Sequence, residues 1–177
     1  MSVEKVHKMG SPSFAPSEEQ EAFRAAERAE YPWKSFEAYR TSFIGTQFPV
    51  EFGGEGADAV TCGILAEEVS RVCASSSLFV LISKLGMIPV IEWGSDELKQ
   101  RMVPLMASGE AQASYCLSES GAGSDVASMT TRAVRDGDDY VLNGRKHWIT
   151  NAGVSSYYTV FAKTDPSAGH RGIRALV

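Results

Sequence analysis

Apolar positions along this chain change rhythm once. Up to about residue 110 they recur at three- and four-residue spacings; beyond it they fall in short runs rich in β-branched and aromatic residues. Near the start, Ser17-Glu18-Glu19-Gln20 has the form of a capping box and predicts a helix running through Phe23 and Ala26. Further helices are predicted over residues 34–43, 58–73 and 76–93. A shorter one runs from a Ser95 cap to a stop at Gly109. In the helix over 58–73, Cys62, Leu65, Ala66, Val69, Val72 and Cys73 share a face, with Glu67, Glu68 and Arg71 elsewhere. The helix over 76–93 is apolar nearly all round and reads as central. Asp96 and Glu97 suit the first turn of the last helix, and Leu98, Met102, Leu105 and Met106 form its buried stripe.

Beyond residue 110 the same reasoning predicts strands over 130–135, 139–142, 146–150, 157–163 and 172–177. Asp136-Gly137 and Asn143-Gly144 are hairpin turn signals, because both pairs tolerate positive φ. The predicted class is α+β: a helical domain over residues 1–110, then antiparallel β structure over 111–177. The last strand runs to Val177 with no turn or cap after it, so the β domain reads as the first part of a larger one.

Bulk composition narrows the picture only a little. The chain has 177 residues, 44% hydrophobic, and a formal charge of -5. That suits one large globular domain or two small ones. It offers no general attraction for nucleic acid. Cys62, Cys73 and Cys116 form no CxxC pair and read as reduced thiols, which places the protein inside the cell, by expectation in the cytoplasm. The most apolar run, residues 78–91, is short for a membrane span and contains Lys84, Gly86 and Pro89. No metal site is expected from these patterns.

Two stretches carry candidate chemistry. Tyr115-Cys116-Leu117-Ser118-Glu119-Ser120-Gly121-Ala122-Gly123-Ser124-Asp125 begins as a strand and opens into hydroxyls and glycines. Backbone N–H groups in such a loop can converge on a phosphate oxygen or a heterocycle carbonyl. It is not a dinucleotide-binding GxGxxG, since more β structure follows it where a helix would be needed. A plain glycine turn is the competing reading. In the second stretch, Gly144-Arg145-Lys146-His147-Trp148-Ile149-Thr150-Asn151, Trp148 and Thr150 lie two apart on a predicted strand. They would then share a face, where an indole and a hydroxyl could flank a planar cofactor, with His147 on the opposite face. Core packing is the alternative use of Trp148.

Taken together, the two stretches resemble the acyl-CoA dehydrogenase family. Its signatures read Thr/Ser-Glu-Pro-Gly-x-Gly-Ser-Asp and Leu-Asn-Gly-x-Lys-x-Trp-Ile-Thr-Asn, and Phe52-Gly53-Gly54-Glu55-Gly56 resembles a third family pattern. Ser118 stands where threonine is commoner and Ser120 where proline is usual. The resemblance implies a helical domain, a middle β-barrel domain and a C-terminal four-helix bundle, with FAD held between the last two. It implies α,β-desaturation of an acyl-CoA, electron-transferring flavoprotein as the acceptor, and a homo-oligomer. It also implies that Tyr115, Cys116, Leu117, Ser118, Gly123, Ser124, Trp148, Ile149 and Thr150 contact FAD. Within that set the Leu117 backbone and Ser118 hydroxyl would meet the pyrimidine edge, Trp148 would cover the ring and Thr150 would bond near N5. Ser124 would also touch the CoA portion of the substrate. The family's catalytic glutamate belongs to the C-terminal bundle, so no catalytic residue is assigned here. Glu67 and Glu68 fall on a solvated face, and Glu119 and Asp125 suit structural hydrogen bonding. Two other readings share the motifs: a non-catalytic remnant of this fold, and a flavin-dependent monooxygenase built on it.

Overall fold

A computed structural model of the chain describes residues 31–177. The Ser17 capping box and the helix expected after it lie outside that range. Among the described residues four α-helices precede the strands: α1 (Trp33–Arg40), α2 (Ala59–Val72), α3 (Ala74–Trp93) and α4 (Asp96–Ala107). The glycine-rich stretch after Phe52 is the turn leading into α2.

Side-chain caps fix two helix starts. The Asp58 carboxylate accepts from the Thr61 N–H at 2.8 Å to open α2, and Ser95 Oγ accepts from the Leu98 N–H at 3.2 Å to open α4. Each satisfies an amide that has no partner within its helix. Ser95→Ala should therefore cost about 1 kcal/mol, seen as a lower urea midpoint with an unchanged slope.

The expected central helix is α3. It packs against α2, α4 and the first strand, burying Phe79, Val80, Met87 and Val90. By length and composition it could also cross a membrane, but in this fold much of its surface is core. Met87 and Val90 join Met102, Val103 and Met106 of α4 in the main apolar cluster. A second cluster of Phe36, Ile44 and Phe79 sits under α1. The stripe expected on α2 is only partly covered. Val69 and Cys73 are buried, whereas Val72 is exposed together with Val60 and Ile64. Among the described residues, α3 is the main helix packed on α2.

Five strands make one sheet: β1 (Ala113–Cys116), β2 (Arg132–Asp136), β3 (Asp139–Asn143), β4 (Tyr157–Lys163) and β5 (Ile173–Leu176). The α+β class and the helices-then-sheet order match the sequence pattern. The expectation of a purely antiparallel sheet does not hold, because the sheet is mixed. β1 runs parallel to β4 over its whole length, and β2 meets β4 in parallel at Arg132 and Lys163. Only β2–β3 and β4–β5 are antiparallel. A parallel pair needs a long crossover, and the loops and hairpin between β1 and β4 supply it.

The β2–β3 hairpin turns where the Asp136-Gly137 signal falls, with Gly137 at φ 63°. Asn143-Gly144 makes no hairpin. Gly144 lies flat against Thr131, so closely that a Cβ at this position would collide with the threonine. Residues 146–150 form no strand either. Their backbone groups are used elsewhere, as described next.

Candidate functional site

The ends of two irregular segments meet beside α3. One is the loop leaving β1; the other is the run 144–155 between β3 and β4. His147 N–H donates to the Ser118 carbonyl at 2.9 Å. The Ser114 hydroxyl donates to the Thr150 carbonyl at 2.8 Å and lies 2.8 Å from the Ser155 hydroxyl. These tertiary hydrogen bonds replace the ladder that a strand over 146–150 would have made. Trp148 and Asn151 take positive φ, 59° and 64°. For a residue as bulky as tryptophan that conformation is strained, and such strain clusters at functional sites.

The two segments enclose a hollow of about 160 Å³. Six of the nine cofactor-binding residues expected from sequence line it: Tyr115, Leu117, Ser118, Trp148, Ile149 and Thr150. Because residues 146–150 are not a strand, face alternation does not bring Trp148 and Thr150 together; the loop does. Trp148 is 91% exposed, so it packs into no core formed by the described residues. Cys116, Gly123 and Ser124 do not line the hollow. Cys116 follows Tyr115 on β1 and is buried; burial pushes its thiol up, partly offset by the Lys146 charge. Gly123 and Ser124 lie farther along the loop and are exposed. Tyr115 packs against Phe161 with ring centroids 4.9 Å apart, and burial raises its phenol.

Sequence reasoning missed Ile82 and Leu85 of α3, which complete the hollow. A helix that is apolar on every side gives no pattern marking which residues face a site.

Beneath the loop sits a buried ion pair. Lys146 Nζ donates to Glu119 Oε1 and to the Leu117 carbonyl, both at 2.9 Å. The other Glu119 oxygen accepts from the Thr130 N–H and hydroxyl, both at 2.7 Å, and Oε1 accepts from the Thr131 N–H at 3.0 Å. The two side chains are 10% and 5% exposed. Burial by itself would raise the Glu119 carboxyl. The Lys146 ammonium and the donors on Thr131 and Thr130 outweigh it, and hold the group well below the usual carboxylate range. At neutral pH Glu119 is thus a hydrogen-bond acceptor for all of these donors.

The other carboxylates considered from sequence stand apart from the hollow. Glu67 and Glu68 are exposed on α2, 3.5 and 3.7 Å from Arg71. Asp125 is exposed and accepts from the Ser128 hydroxyl. A larger hollow of about 440 Å³ opens between the α3–α4 junction and β5, against Trp93, Leu98 and Leu176. It contains none of the motif residues, and the Thr159 hydroxyl on its wall donates to the Gly86 carbonyl at 2.5 Å.

The fold and both motifs define one class of protein. Residues 4–110 match the acyl-CoA dehydrogenase N-terminal domain, and residues 114–177 match the acyl-CoA dehydrogenase middle domain. The chain belongs to the acyl-CoA dehydrogenase family. It is 51% identical over 152 residues to a probable acyl-CoA dehydrogenase of Mycobacterium leprae, covering 85% of this chain and 39% of that protein. Among solved structures, an acyl-CoA dehydrogenase from Geobacillus kaustophilus superposes with a TM-score of 0.75 at 29% identity, covering 94% of this chain and 49% of that one. A glutaryl-CoA dehydrogenase from Mycobacterium smegmatis in complex with FADH2 gives 0.75 at 34% identity, covering 84% and 38%. The chain spans about two fifths of the length of the curated relatives it matches.

Proposed function

We propose that this chain supplies one wall of the flavin site in an FAD-dependent acyl-CoA dehydrogenase, an oxidoreductase that desaturates an acyl-CoA between its α and β carbons. The observation that carries this reading is the shared hollow, where an exposed indole faces a loop of hydroxyls. Its chemistry fits a flavin. Leu117, Ile82, Leu85 and Trp148 offer apolar contact to a planar ring, while Ser118 and Thr150 offer hydrogen bonds at its rim. The hollow is smaller than the roughly 300–1,000 Å³ of a complete small-molecule site, so it seats one face of a ring and leaves the other open. The glutaryl-CoA dehydrogenase similar to this chain is described with FADH2.

When bound, FAD supplies the hydride acceptor. The residues of this chain bind and orient it. Among the described residues no carboxylate lines the hollow, and no base is assigned there. Ser124, on the exposed bend beyond the hollow, is left as the contact to the CoA portion. Electron-transferring flavoprotein as acceptor, a homo-oligomeric assembly and a cytoplasmic location complete the reading.

Titration with FAD, followed by flavin fluorescence, tests it. The wild-type chain should quench the emission. Trp148→Ala should weaken binding by roughly tenfold, from loss of aromatic stacking worth about 1–3 kcal/mol. Its unfolding midpoint should stay near wild type, because the indole is exposed. Flavin emission unaffected by the wild-type chain would refute the reading.

A further inference from the structure

The carbonyls of Leu117 and Ser118, two residues that line the hollow, are both claimed by the segment opposite. Lys146 Nζ takes the first at 2.9 Å and His147 N–H takes the second at 2.9 Å. The ammonium is itself fixed by Glu119, whose carboxylate is anchored in turn by Thr130 and Thr131 at the entry to β2. A single buried carboxylate and a single buried ammonium thus tie three stretches of chain together: the loop after β1, the start of β2 and the segment after β3. The close seat of Gly144 on Thr131 brings the third stretch near enough for Lys146 to reach across.

We propose that Lys146 is a positioning residue for the cofactor site: by bridging the Leu117 carbonyl to the Glu119 carboxylate, it sets the orientation of the Leu117–Ser118 peptide group that lines the hollow. This rests on the flavin reading above and extends it to a residue that does not itself line the hollow. In a planar trans peptide the C=O and N–H point to opposite sides. Pinning the Leu117 carbonyl toward Lys146 therefore turns the Ser118 N–H away from it. The Ser118 carbonyl, held by His147, fixes the next peptide in the same manner. The Glu119 N–H is already committed to the Ala122 carbonyl at 2.9 Å, so the loop has little freedom left once Lys146 is in place. The positive charge does not act on the site as a free charge, because Glu119 neutralises it.

A positioning role and a purely structural role separate in a double variant. Lys146→Met alone leaves the Glu119 carboxylate buried without its partner. It should lower the thermal midpoint, weaken FAD binding about tenfold and speed hydrogen exchange at the His147 and Glu119 amides. Amides within α4 serve as the reference. Adding Glu119→Gln removes the stranded charge and should restore part of the midpoint. The Leu117 carbonyl remains unclamped, so FAD affinity should stay about tenfold weaker and the two amides should stay fast. Affinity and exchange that recover along with the midpoint would overturn the proposal, as would unchanged exchange in K146M. If the wild-type chain binds no FAD, the flavin reading fails on its own, and exchange at those two amides still decides whether Lys146 holds the loop.

Discussion

Replacing Glu119 with glutamine will cost the fold about 3–5 kcal/mol at neutral pH, the range measured when one partner of a buried ion pair is removed. For a chain of this size that is a fall on the order of 10 °C in thermal midpoint. The loss is large because the carboxylate does more than neutralise Lys146. It accepts four hydrogen bonds, from Lys146, the Thr130 N–H and hydroxyl, and the Thr131 N–H. Glutamine keeps one acceptor oxygen and brings an NH2 group toward donors that need acceptors. The Lys146 ammonium, 10% exposed, is left with the Leu117 carbonyl as its remaining partner.

The pH dependence of that loss follows from the direction of the Glu119 shift. Its carboxyl is held well below the usual range in the folded protein, and returns to about 4.3 on unfolding. A group with a depressed folded value contributes stability that is fully present above the unfolded value and is lost as pH falls through the folded one. The gap between wild type and E119Q should therefore be level from pH 7 to about pH 5 and narrow steadily below about pH 4.3. Urea unfolding of both proteins at each pH isolates this effect, because other titrating groups act on both alike. A gap that widened on acidification would show that Glu119 is not held ionised by its partners.

The helices were legible because their signals are local. The Ser95 cap, the apolar stripe of α4 and the all-round apolarity of α3 each lie within a single helix or at its start. The sheet was legible only where pairing is also local, at the Gly137 hairpin. The parallel match of β1 with β4 joins Ala113 to Tyr157 across two intervening strands, and no periodicity encodes it. Residues 146–150 have the composition of a strand, but composition does not say where their backbone groups will bond. Here the partners are Ser114 and Ser118, far back in the chain. For the site, the motif residues Tyr115, Leu117, Ser118, Trp148, Ile149 and Thr150 are recognisable as a set, although Trp148 and Thr150 come together on a loop and not on the strand face their spacing predicts. The Glu119–Lys146 pair was invisible as a pair: Glu119 reads as a structural hydrogen-bonding group, but nothing in two charged residues 27 positions apart says that folding buries them together.

Gly86→Val should be nearly as damaging as the loss of Glu119, through packing instead of charge. A Cβ at residue 86 would stand 2.8 Å from the Ala113 Cβ and 3.2 Å from the carbonyl carbons of Ala113 and Ser114. Ala113 is fully buried, so it has nowhere to move. For alanine, the gain in helix propensity of about 1 kcal/mol partly offsets the strain. Valine adds two methyl groups to the same gap, and overpacking of this kind costs about 1–3 kcal/mol or more. Relief requires α3 to back away from β1, which stretches the 2.5 Å bond from the Thr159 hydroxyl to the Gly86 carbonyl. It also draws Leu85 and Ile82, on the same helix, out of the hollow. G86V should thus lose both stability and FAD affinity, whereas Trp148→Ala loses affinity alone. Gly63 provides the control. It lies on α2, and among the described residues nothing comes within 4 Å of where a Cβ would stand, so Gly63→Ala should stabilise by up to about 1 kcal/mol. Urea midpoints for the two glycine variants check the contrast. A G86V chain with the wild-type midpoint would mean that α3 does not rest on β1, and the hollow between them would have no rigid floor.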